Sequence, residues 1–194
     1  KQITKNMLNP IGNITNLRIT LNGDKGVGIL RNKEYNTNNI NTINLNNTNL
    51  QDLVLGDNAT NSVLIRTDKY GVSLDKNISV NNSNLINTAF NNVVMLANDT
   101  NNLGSNQTFV QNNSTITIGN NLSQTTGLLA INGGYALNSG IITIDGEISQ
   151  GISIFGTSGG TVSTGTNTGT ININGKESLG VYNAGTFGMS SGTI

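Results

Sequence analysis

The run RNKEY, Arg31 to Tyr35, gathers more chemistry than any other short stretch of this chain. Arg31 and Lys33 offer charge-assisted hydrogen bonds, Glu34 accepts them, and Tyr35 adds a ring on which a flat group can stack. That set suits recognition of a glycan or protein surface, and Arg31, Lys33, Glu34 and Tyr35 are the candidate partner-binding loop. Asp68, Lys69 and Tyr70 form a similar but weaker group. Asp145 and Glu147 have the spacing of an acid–base pair. They fall at a strand–turn boundary, where carboxylates are solvated, and a catalytic pair needs burial or a partner to separate its pKa values. The chain has no His and no Cys, so the usual general base and transition-metal ligand, the thiolate metal site and the disulfide are all missing. No calcium-bracing Gly-Gly-x-Gly-x-Asp repeat occurs. The expectation is no catalytic residue, no metal site and no cofactor.

What must position the RNKEY loop is a repeat. Ile142 to Phe155 reads ITIDGEISQGISIF, and 29 residues later Ile171 to Ala184 reads ININGKESLGVYNA. Each has an alternating apolar strand, an Asx-Gly turn, a polar excursion, and a Gly that opens a second strand. Ile19–Leu30 and Ile116–Ile131 repeat the pattern with shorter and longer loops. A unit of strand and turn without helix predicts an all-β solenoid, a parallel β-helix with coils of about 20–29 residues. Alternation predicts that Ile142, Ile144, Ile171 and Ile173 face inward and stack as a column. Gly146 and Gly175 are expected at equivalent corners with positive φ. A second corner is a small residue, Gly, then Thr or Ile, as at Ser139-Gly140-Ile141 and Thr168-Gly169-Thr170. At about 20–25 residues per coil the chain makes roughly eight or nine coils, a rod about 40 Å tall.

Two stretches are expected: 1–114, less regular coils with longer Asn-rich loops, and 115–194, regular coils. Asn supplies about a fifth of the chain. Its structural reading is left-handed corners and amide ladders between coils. The ten basic and ten acidic side chains cancel, which disfavours nucleic acid and anionic membrane as partners. No apolar run approaches the length of a membrane-spanning helix, and KQITKNMLNP lacks the apolar core of a signal peptide. Gly192-Thr193-Ile194 reads as the start of another rung, so a segment of something longer is expected.

GTININGKESLGVYNAGTF (Gly169–Phe187) and SGIITIDGEISQGISIF (Ser139–Phe155) resemble the coil of type V autotransporter passengers, most of all the large Asn-, Gly- and Thr-rich fusobacterial adhesins. The resemblance covers about the last 80 residues well and the first 110 in composition. It implies a right-handed parallel β-helix displayed on a Gram-negative cell surface, tied to the membrane only through a C-terminal barrel absent from this sequence. It also implies attachment to glycans or proteins of host or bacterial surfaces. The alternatives are a β-helical polysaccharide lyase or glycosidase and a phage tail-fibre segment. The enzyme would need acids in one column of successive coils, and Gly104 onward holds only Asp145, Glu147, Lys176 and Glu177 among charged residues.

Overall fold

The computed structural model describes residues 15–32, 42–80, 89–100, 108–156, 161–189 and 191–194. Among these residues it is a parallel β-helix of eighteen strands, three to a coil. The first coil comprises β1 (Leu17–Leu21), β2 (Val27–Arg31) and β3 (Thr42–Leu45), and the second β4 (Leu50–Leu55), β5 (Val63–Thr67) and β6 (Gly71–Leu74). The third has β7 (Ile78–Val80), β8 (Val93–Asn98) and β9 (Phe109–Asn112), and the fourth β10 (Thr115–Ile118), β11 (Thr126–Ile131) and β12 (Tyr135–Asn138). The fifth has β13 (Ile141–Ile144), β14 (Gln150–Phe155) and β15 (Thr164–Asn167), and the sixth β16 (Thr170–Ile173), β17 (Leu179–Ala184) and β18 (Thr186–Met189). The second and third strands of each coil build two six-stranded parallel faces. On the first face the ladder runs β1–β4 and then β7–β10–β13–β16, with none joining β4 to β7 among the described residues.

The coils are fewer and longer than the repeat suggests. Six stack among the described residues, where eight or nine were expected. From Thr126 the second face repeats through Gln150 to Leu179, steps of 24 and 29 residues. Earlier it repeats from Val27 to Val63, Val93 and Thr126, steps of 36, 30 and 33. The extra residues fall between strands in the sequence, so the strands keep their register and the period does not.

Alternation places the core. Ile116, Ile142 and Ile171 are register partners and buried, as are Ile118 and Ile144. Ile173 keeps its register with Ile144 but is 39% exposed. Among the described residues only Ser191–Ile194 stack beyond it, where Thr193 bridges to Thr170. At about 1.5–3 kcal/mol for each fully buried Leu or Ile, this column and its counterparts on the other faces hold the rod together.

The glycine expectation is corrected. Gly146 and Gly175 do occupy equivalent corners, but neither has positive φ. Left-handed φ falls two residues later, at Lys25, Ile148 and Glu177, and at Asn61, Asn91 and Gln124 in the intervening coils. Glycine is needed for close approach instead. A Cβ on Gly146 would sit 2.5 Å from the Leu122 carbonyl oxygen, and one on Gly175 would overlap that of Gly146.

Two outcomes follow. Ile142→Ala should lower the unfolding free energy by about 2–5 kcal/mol in urea titrations, while Thr143→Ala, on the outward side of the same strand, should change it by less than about 0.5 kcal/mol. Gly175→Ala should lower the melting temperature, while Glu177→Gly should hold or raise it, because a left-handed residue with a side chain costs roughly 1–2 kcal/mol.

Candidate functional site

Arg31 is not the first residue of an exposed loop. It ends β2, in register with Thr67 and, through it, with Ala97 of the next coil. This is an inward column, continued by Ala130 and Ile154, and Arg31 is 7% exposed. Strand alternation explains the burial, and the long stem carries the guanidinium to the corner. There Nη1 donates to the Gly71 carbonyl oxygen at 2.5 Å, and Cζ lies 5.3 Å from the Tyr70 ring centroid.

The Lys69 ammonium sits 5.1 Å from the same ring centroid. Tyr70 is itself left-handed, with φ 68°. The Thr67 hydroxyl secures its corner, 2.8 Å from the carbonyl oxygens of both Lys69 and Tyr70. Outside, Arg66 donates twice to Asp68, at 2.6 and 3.1 Å. The structure thus brings Arg31 of the first charged group to the Tyr70 ring of the second, which Lys69 also approaches. Lys33, Glu34 and Tyr35 lie outside the described residues. Asp145 accepts a hydrogen bond from Asn174 at 2.7 Å, while Glu147 is an exposed corner residue bridged to Ser123.

Burial pulls the Arg31 pKa down to about 10, with the Tyr70 phenol acting in the opposite direction. What Arg31 does here is clamp one coil to the next.

The second face presents a different surface. One outward column reads Val27, Val63, Val93, Thr126, Gln150 and Leu179. The other reads Leu30, Arg66, Leu96, Leu129, Ser153 and Tyr182. Between these columns and the left-handed corner residues runs a groove of about 320 Å³. Its lining comprises Asn91, Gln124 and Ile148 from three successive corners, with Asn92, Val93, Thr126, Gln150, Leu129 and Phe155. Phe155 and Tyr182, 42% and 39% exposed, are neighbours on adjacent coils with ring centroids 5.1 Å apart. Among the described residues no charged side chain lines the groove.

Ile148 is the unusual member. It is β-branched, 47% exposed, and held at φ 50°, where a β-branched residue is an outlier. Sequence reasoning missed the groove. The available signal was apolar residues at outward positions, Ile148 after Gly-Glu and Phe155 after Ile-Ser-Ile, where Thr, Ser or Asn would be ordinary.

No protein-family model matches the chain, and no curated protein or solved structure matches it.

An arginine whose folded pKa lies below its ordinary value holds fewer protons folded than unfolded at pH values between the two. Stability therefore rises with pH through that window. Between neutrality and about pH 11 the wild type should gain unfolding free energy relative to Arg31→Met. A difference that stays constant with pH would place the guanidinium in water.

Proposed function

We propose that this chain is a structural and adhesive section of a β-helical rod on the surface of a Gram-negative cell, of the autotransporter-passenger kind. It attaches to host or bacterial surface partners through the second face. The observation that carries this reading is the exposed apolar side chains gathered along that face, Ile148, Phe155, Leu179 and Tyr182. Contiguous exposed apolar surface marks a place of contact. The first face in the same coils presents Thr143, Thr170 and Asn172, with Ile141 and the end-coil Ile173 exposed beside them. Both faces belong to one stiff stack, so a loop or groove on its flank is carried at a fixed height and angle.

A scaffold is favoured over a lyase or glycosidase by what the corner column holds. Its bridged residues are Asp24, Thr60, Phe90, Ser123 and Glu147 in successive coils, with a carboxylate only at each end. A pair of acids on adjacent rungs, the least that glycosidic chemistry asks of such a scaffold, is not among them.

Beads coated with this chain should adhere to epithelial or bacterial cells. A Phe155→Ser/Tyr182→Ser double variant with an unchanged circular dichroism spectrum should adhere several-fold less. Equal adhesion by the two proteins would remove the second face from the reading, and no adhesion by either would leave the chain a spacer.

A further inference from the structure

The groove on the second face carries a more specific inference, one that rests on the adhesive reading above. We infer that it binds a neutral oligosaccharide. Its sugar rings lie along the apolar wall of Ile148, Leu129 and Phe155, and their hydroxyls meet the carboxamides of Gln124 and Gln150.

A sugar ring has two kinds of surface: C–H faces that pack on apolar and aromatic side chains, and an edge of hydroxyls that both donate and accept. The groove matches both. Ile148 and Phe155, from opposite ends of the same coil segment, and Leu129 from the coil before supply the apolar wall. Gln and Asn are the side chains that offer a donor and an acceptor together, and the groove holds them in three successive coils. Among the described residues the Gln124 carboxamide makes no protein hydrogen bond. Gln150 uses its oxygen to accept from Ser153, leaving its amide hydrogens for a ligand.

Three further features narrow the ligand. The absence of any charged lining residue favours a neutral sugar over a sialylated or sulfated one, which would ask for Arg or Lys. The volume stands at the low end for small-ligand sites, enough for one or two rings of a chain lying across the coils. Tyr182, stacked beside Phe155 one coil on, extends the platform for a neighbouring ring.

Ile148 supplies the independent sign. Its column holds Lys25, Asn61, Asn91, Gln124 and Glu177 in the other coils, all polar, and Ile148 is its one apolar member among the described residues. An isoleucine there is conformationally unfavourable and leaves its side chain half in water, which a wall contacting a ligand explains and corner geometry does not.

The test is titration calorimetry of the whole chain with maltotetraose, cellotetraose and chitotetraose, with sialyllactose as the charged probe. The variants are Ile148→Asn, which suits the corner and keeps the fold, and Phe155→Ala. Asn172→Ala on the first face is the control. Saturable binding of at least one neutral tetrasaccharide is expected, weakened about tenfold or more by each groove variant and unchanged by the control. The inference is overturned if no neutral probe binds, if sialyllactose alone binds, or if both groove variants bind as well as the wild type. The adhesion assay separates the two readings. Adhesion by the wild type with no calorimetric binding of any neutral tetrasaccharide overturns the oligosaccharide and leaves the adhesive rod. Tetrasaccharide binding through the groove without adhesion upholds the oligosaccharide and removes the rod's adhesive role.

Discussion

The buried asparagine chain at the third corner governs how tightly this helix can turn. Asn112, Asn138 and Asn167 are each fully buried, and their amides link from coil to coil at 2.8 Å. Asn138 Nδ2 also faces the carbonyl oxygens of Gly140 and Thr170, and Asn112 Nδ2 those of Ser114 and Ile141. One side chain thus satisfies backbone groups that a two-residue corner takes out of the ladder, groups that are costly to bury unpaired. In the first two coils the same column holds Leu45 and Leu74, and the chain takes four and three residues, Asn46–Asn49 and Asp75–Asn77, to reach the next strand. Where the polar cap is present, two residues suffice.

The corner leading into the second face works by a related device with smaller side chains. Gly26 N–H donates to Ser62 Oγ, Ser62 N–H to Asn92 Oδ1, Thr125 N–H to Ser149 Oγ and Ser149 N–H to Ser178 Oγ. Each acceptor belongs to the following coil. The Ser62 and Ser178 hydroxyls donate back to the carbonyl oxygens of Gly23 and Gly146 in the coil before. These contacts fix the corner residue ahead of each link, and that residue is the left-handed one whose side chain stands over the groove. Corner chemistry and the candidate site are therefore one construction. The buried Ser or Asn sets the angle at which Asn91, Gln124 and Ile148 project.

The strands and their inward columns were legible because both rest on local patterns. Ile142–Ile144 and Ile171–Ile173 alternate, and their Asx-Gly turns recur at a fixed distance. Asn ladders were legible in kind, and they run through Asn112, Asn138 and Asn167 as well as from Asn91 to Asn61. Coil length was hidden, since insertions at corners alter the spacing without altering any strand. The role of Gly146 and Gly175 was misjudged for a related reason. Turn chemistry describes one chain segment, whereas the constraint on these glycines comes from the carbonyl oxygen of a residue about one coil away. Arg31 was read from its charge, yet its column is set by strand parity. The groove assembles from Gln124, Leu129, Ile148 and Phe155 on two coils, and no single window of sequence contains it.

Among the described residues no ladder joins β4 to β7, and there the stack behaves as a line of springs with a soft coupling. In a solenoid each coil touches little beyond its neighbours, so stability is close to a sum of nearest-neighbour terms. Here the second and third faces cross that boundary through β5–β8 and β6–β9, and the first face does not. Two ladders carry the tension that three share farther along. A pull along the rod, or slow amide exchange under native conditions, finds its earliest opening at that seam. The clamp of Arg31, Lys69 and Tyr70 lies on its N-terminal side and the groove on the other, with only Asn91–Val93 of its lining in the coil at the boundary. Under load the first two coils would peel away as a unit while the groove stayed folded.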